Sequence, residues 1–214
     1  MLDRLKRTIP ALLCAALLAA GPAALAREPE LTTMHPPPVQ AAIKPDRNTY
    51  QIIVDKQAQV VTVMRRGIND KYNVLVRQMR CSTGRKPKYT PEGSFKIYAK
   101  SPWLRTVTGE YVQYTSRFKG QILFHSIPYK KANPRTLVGE AYRVLGQPVS
   151  AGCVRLVARD CKWIYDNCPT GTRVLVVASG GPAVRAVEPV PELPEGQTWD
   201  PTDEAIAENA PPAA

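Results

Sequence analysis

Between positions 48 and 179 the chain runs as short β-branched stretches broken by turn residues, a pattern that restricts it to a mostly-β domain with a single core. Residues 50–54 and 60–64 alternate apolar and polar side chains around Asp55-Lys56-Gln57, which predicts a hairpin. Residues 72–79 predict a third strand. Thr90-Pro91-Glu92-Gly93 is turn chemistry, with proline pre-setting φ and glycine permitting the unusual backbone, and residues 94–98 resume a strand. Residues 121–124 form a short apolar run ending on His125. Residues 158–167 carry Trp163 and Ile164 on one helical side and are stopped by Pro169-Thr170-Gly171, before a buried strand over 172–177. There are no internal repeats.

The two ends are of another kind. Residues 1–26 begin with Arg4, Lys6 and Arg7, continue through an apolar run over 9–20, and close on Ala24-Leu25-Ala26, the small-x-small pattern of a cleaved signal peptide. The run is short for a membrane anchor, so no integral membrane segment is expected after cleavage. Leu12-Leu13 before Cys14 lack the small residue a lipoprotein site needs. Residues 27–47, with Pro36-Pro37-Pro38, read as a linker. Residues 180–214 are rich in Pro, Ala and Glu and read as a disordered acidic tail.

Charge follows the same division. The tail holds seven acids and one base and the signal segment a net +2, so residues 27–180 carry +15 of a chain whose total is +11. Such a surface draws anionic partners. For an exported protein, in the periplasm or cell wall, these are wall polymers and lipid headgroups rather than nucleic acid; general solubility is the plainer reading. No motif for a protein partner is visible.

Chemistry narrows to few residues. The chain has two histidines, and His35 lies in the proline-rich linker, leaving His125 alone in the domain. With no second histidine and no Cys-x-x-Cys pair, neither a zinc site nor any other cofactor is expected. Four cysteines follow the signal: Cys81, Cys153, Cys161 and Cys168. An even count in an exported protein suggests disulfides. Cys161 and Cys168 lie too far apart along one helix to bond unless Cys168 is beyond its end, and Cys81 is either another partner or simply buried. Cys153 stands apart, because Ser150-Ala151-Gly152 before it are small enough to admit a carbonyl substrate and free backbone N–H groups for an oxyanion. A thiol needs a base to become a nucleophile, and His125 is the histidine that can serve.

These residues carry a resemblance. Phe124-His125-Ser126-Ile127-Pro128-Tyr129, followed by Leu145-Gly146-Gln147-Pro148-Val149-Ser150-Ala151-Gly152-Cys153-Val154-Arg155-Leu156, is similar to the signature of the L,D-transpeptidase catalytic domain (YkuD type). Cys81-Ser82-Thr83-Gly84, Thr90-Pro91-Glu92-Gly93-Ser94-Phe95 and the stretch from Asp160 to Asn167 resemble further elements of that family, in family order. The resemblance implies an L,D-transpeptidase-like β-sandwich with one or two short helices. It also implies a peptidoglycan cross-linking enzyme in which Cys153 attacks the carbonyl of the third stem-peptide residue and expels D-alanine. In that picture His125 is the base, Ser126 orients it through its backbone carbonyl, and Gly152 and Cys153 amides form the oxyanion hole. Arg155 and Ser150 would contact substrate, with a structural salt bridge the plainer role for Arg155. Tyr111 and Tyr114 would wall the cleft, though strand aromatics are more often core.

Two features depart from the family pattern. Ala151 stands where a histidine usually precedes the Gly-Cys pair, which alters substrate contacts rather than the base. The stretch over 129–144, with Lys130, Lys131, Arg135 and Arg143, lengthens the connection from base to nucleophile and reads as a basic lid or a plain surface loop. Water as acceptor would make the enzyme an L,D-carboxypeptidase, and a protein lysine would make it a protein-to-wall anchor. A non-catalytic wall-binding module is the alternative outside catalysis.

Overall fold

The computed structural model describes residues 44–207. The signal segment, most of the linker, Cys14 and His35 lie outside the described residues. Nine strands form two sheets. The first is β3 (Tyr72–Arg80), β2 (Val60–Arg66), β1 (Tyr50–Asp55), β9 (Arg173–Val177) and β4 (Gly93–Lys96), in that spatial order. The second is β5 (Ala99–Arg105), β6 (Tyr111–Lys119), β7 (Ile122–Ser126) and β8 (Val154–Leu156). Helices α1 (Gly139–Arg143), α2 (Ala158–Asn167) and α3 (Glu204–Ala207) are short. The expected mostly-β fold with few short helices is therefore what the chain adopts. Among the described residues no helix is long and apolar enough to cross a membrane.

Alternation makes the core. Ile52 and Val54 on β1, Val61 and Val63 on β2, and Val174 and Val176 on β9 point one way and are almost wholly buried. They join Phe118, Phe124, Val154 and Leu156 of the second sheet and Cys161 and Ile164 of α2 in one cluster. β1 and β9 run parallel at the centre of the first sheet, which suits the continuous apolar run of β9. A second cluster holds Ile127, Tyr129, Leu137, Tyr142, Val157 and Leu193, so the insertion over 129–144 is packed rather than loose.

The C-terminal segment departs from the expectation of a disordered tail. Residues 182–206 are seated on the domain: Arg185 and Ala186 N–H groups donate to Gln78 Oε1, and Leu137 N–H donates to the Thr198 carbonyl. Leu193 and Ile206 are buried. Its acids answer the domain's surplus cations. Glu188 pairs with Arg77 and Arg159, and the fully buried Asp200 accepts the Ala158 N–H at the start of α2 (2.8 Å). Composition misleads here because a few anchors and many backbone bonds do what a large apolar content does elsewhere.

Among the described residues the four cysteines are free thiols. Cys81, Cys161 and Cys168 are buried, and burial pushes their thiols up, Cys168 to about 12. They behave as small apolar core residues.

Candidate active site

A parallel strand pair sets His125 on β7 beside β8, the strand that Cys153 directly precedes. β7 and β8 align Phe124 with Val154, His125 with Arg155 and Ser126 with Leu156. Side chains alternate along a strand, so His125 and Arg155 share one face of the sheet, and the Arg155 charge acts on both the imidazole and the Cys153 thiol. Arg155 is held on its other side by Ser82 through two backbone bonds of 2.9 and 3.0 Å.

The imidazole is fixed and neutral. His125 is 3% exposed, and its Nδ1 lies 2.6 Å from the Ser126 carbonyl. A carbonyl only accepts, so Nδ1 carries the proton and Nε2 keeps its lone pair. Burial, opposed by the Ser126 carbonyl and reinforced by the Arg155 charge, brings the imidazole down to about 4. The Cys153 thiol is pushed up by burial, which outweighs the Leu123 backbone hydrogen bond and the Arg155 and Arg117 charges. Its Sγ–H donates to the Gln121 carbonyl at 3.6 Å. The resting pair is thus thiol and imidazole, and the proton must move as the nucleophile attacks.

That state has a pH signature. The base works only unprotonated, and its folded pKa lies near 4 rather than the ordinary 6.5. The acid limb of kcat/KM is therefore expected near pH 4, with activity retained between pH 5 and 6.5, in a profile measured over pH 3.5–9. An acid limb near 6.5 would mean that the working imidazole is not the buried one described here.

The turn before the nucleophile is braced from two sides. Ser150 Oγ accepts the Gly152 N–H (3.0 Å) and donates to the Cys153 carbonyl (2.6 Å). Thr90 Oγ1 donates to the Gly152 carbonyl (2.7 Å) and accepts the Gly84 N–H (2.8 Å). Gly152 has φ +139°, and a Cβ there would lie 2.5 Å from the Tyr89 carbonyl oxygen, so only glycine fits. Of the amides expected at an oxyanion hole, that of Gly152 is engaged within the turn. Ser150 is buried and holds the turn instead of lining a cleft.

Arg155 is half-buried, its Nε has no hydrogen-bond partner, and among the described residues no carboxylate lies within ion-pair distance of it. Its side chain remains available to a substrate carboxylate. The tyrosines fare differently. Tyr114 lies on the core face of β6, 5.9 Å from the Tyr165 ring of α2, which corrects the expectation of a cleft wall: two residues on, Ser116 pairs with Phe124, whose side chain points away from His125. Tyr111 exchanges backbone bonds with Tyr129 and packs against the second core cluster. Thr90 and Gln121 touch the site without having been singled out. Thr90 opens a recognisable turn motif, whereas Gln121 acts through its backbone, which leaves no side-chain signal. Among the described residues no group of three or more His, Cys, Asp or Glu is placed to hold a metal.

The site thus sets a buried histidine on β7 and a cysteine on a braced turn just before β8 of a two-sheet β domain. The family model described as the L,D-transpeptidase catalytic domain (YkuD) matches residues 49–176, and the chain belongs to that family. Relatives include the putative L,D-transpeptidase YciB of Bacillus subtilis, 32% identical over 117 residues, covering 53% of this chain and 58% of that protein. The probable L,D-transpeptidase ErfK/SrfK of Escherichia coli is 30% identical over 103 residues, 42% of this chain and 31% of its own. The chain thus spans between about a third and somewhat over half of these relatives. Among solved structures, an L,D-transpeptidase from Mycobacterium smegmatis aligns with a TM-score of 0.46 and 25% identity, over 61% of this chain and 59% of the other.

Proposed function

We propose that the chain is an exported, cysteine-dependent peptidoglycan L,D-transpeptidase acting in the periplasm or cell wall. The carrying observation is the neutral imidazole, with Nδ1–H held by the Ser126 carbonyl, on the strand that pairs with β8 directly after Cys153. In this reading Sγ attacks the carbonyl of the third stem residue while Nε2 takes the thiol proton. The tetrahedral oxyanion collapses, the C–N bond breaks, and the imidazolium returns that proton to the departing D-alanine amine. The thioester on Cys153 is then opened by an incoming amine, which gives its proton to Nε2, and the imidazolium passes that proton to the departing Cys153 sulfur. Arg155 supplies the fork for a carboxylate on the donor stem.

Purified protein incubated with tetrapeptide muropeptides, followed by mass spectrometry, tests this. D-alanine release and cross-linked dimers are expected, both lost in Cys153→Ala. Tripeptide alone would name water as the acceptor. No Cys153-dependent product from folded protein would replace the enzyme reading with that of a wall-binding module.

A further inference from the structure

A short cationic loop beside the nucleophile turn has no part in the chemistry of thiol and imidazole. Residues 84–90 read Gly-Arg-Lys-Pro-Lys-Tyr-Thr, and Arg85, Lys86 and Lys88 are exposed. The loop is fastened to the turn that leads into Cys153. Arg85 N–H donates to the Ser150 carbonyl (2.9 Å), and Thr90 Oγ1 bonds both the Gly84 N–H and the Gly152 carbonyl. The Tyr89 carbonyl packs so closely on Gly152 that a Cβ there would lie 2.5 Å from it. Gly152 directly precedes Cys153, so the loop borders the turn that carries the thiol.

Its charges are held in place and unanswered. Lys56, the residue after β1, donates to the Pro87 carbonyl (2.6 Å), and Tyr89 N–H donates to the Lys86 carbonyl (2.9 Å). Arg85 and Lys86 both stand over the Tyr89 ring, 5.7 and 5.6 Å from its centroid. The ring face attracts both cations and so gathers two like charges that repel one another. Glu92, the acid nearest in sequence, is taken by Lys56 (2.9 Å). Among the described residues no ion pair includes Arg85, Lys86 or Lys88.

We propose that Arg85, Lys86 and Lys88 select stem peptides whose non-terminal carboxylates are free over stems in which these groups are amidated. A stem has such groups to offer. Glutamate linked through its γ-carboxyl keeps its α-carboxylate, and diaminopimelate keeps the carboxylate of its second centre. Amidation removes the charge and nearly preserves the shape, so it isolates what the loop reads. One exposed ion pair is weak, but three cations acting on one peptide give a measurable preference. The assignment rests on the peptidoglycan reading above and adds to it a choice among stems.

Binding and turnover test it separately. Calorimetry on the Cys153→Ala chain compares a tetrapeptide stem with free non-terminal carboxylates and the same stem amidated there, and requires no catalysis. The free form is expected to bind about tenfold tighter, an advantage that shrinks with added salt. That advantage should vanish in Arg85→Gln/Lys86→Gln/Lys88→Gln. Neutralising Arg47, Arg65 and Lys71 in the same way, at exposed positions toward the opposite end of β1, should leave it intact. No binding, no preference for the free form, or equal loss from both triple variants would overturn the assignment. In turnover, a slower acylation of the loop variant by the free stem, read by intact-protein mass spectrometry, names the donor stem as the one selected. A loss confined to opening of the preformed thioester names the acceptor, and no loss in either step overturns the assignment. Charge-dependent binding without any Cys153-dependent turnover would sink the catalytic reading and leave the recognition standing.

Discussion

Replacing His125 with asparagine is expected to slow acylation at neutral pH by about 10²–10⁴-fold, with the domain still folded. The asparagine amide reaches about where Nδ1 stands and can donate to the Ser126 carbonyl, so the local hydrogen bond survives while Nε2 is lost. The loss is large because nothing else ionises the thiol. Burial keeps Cys153 protonated above its ordinary 9.0, and the nearby Arg155 and Arg117 charges only partly offset that. The rate of acyl adduct formation, followed by intact-protein mass spectrometry, also has a diagnostic pH dependence. In His125→Asn it should climb tenfold per pH unit through neutrality as the thiolate fraction rises, whereas the parent is flat there. A variant as fast as the parent, or with the parent's flat profile, would place the base elsewhere.

Much of this site is written in the sequence because it is built from local signals. The β1–β2 hairpin and β9 read correctly from alternation and from a continuous apolar run, since the core takes one face of the hairpin and the sheet centre takes β9. His125 stands out by scarcity and Cys153 by the small residues before it. β5 and β6 are harder. β5 contains Pro102, which reads as a breaker but is tolerated because β5 is the edge of its sheet. β6 buries Gln113, Thr115 and Ser116, so its polar pattern hides a strand covered on both faces. Ser150 and Gly152 were legible as important residues, but not in their roles. Whether a hydroxyl faces substrate or braces a turn depends on the Thr90 and Gln121 segments, which approach from far along the chain.

The C-terminal segment was the least legible part, and its removal is expected to have the second large effect. A chain ended at residue 180 loses the burial of Leu193 and Ile206, worth about 1.5–3 kcal/mol each. It also leaves the Ala158 N–H without the Asp200 carboxylate, a helix start that costs about 1–2 kcal/mol to uncap. Arg77 and Arg159 lose Glu188 as well, leaving them only the buried Asp160 carboxylate. A loss on the order of 5 kcal/mol is comparable with the whole stability of many domains. Urea unfolding should therefore show a much lower midpoint, or no cooperative transition. The effect should reach catalysis too. The Tyr142 hydroxyl donates to the Pro191 carbonyl and the Leu137 N–H to that of Thr198, so the segment clamps the connection between His125 and Cys153. Where the shortened chain still folds, at low temperature or with stabilising osmolyte, kcat should fall more than its helix and strand content. Superimposable unfolding curves and equal kcat for the two lengths would show that residues 181–207 merely lie on the domain. A shortened chain that is less stable but equally fast would confine their role to folding and leave the alignment of base and nucleophile to the β7–β8 pair alone.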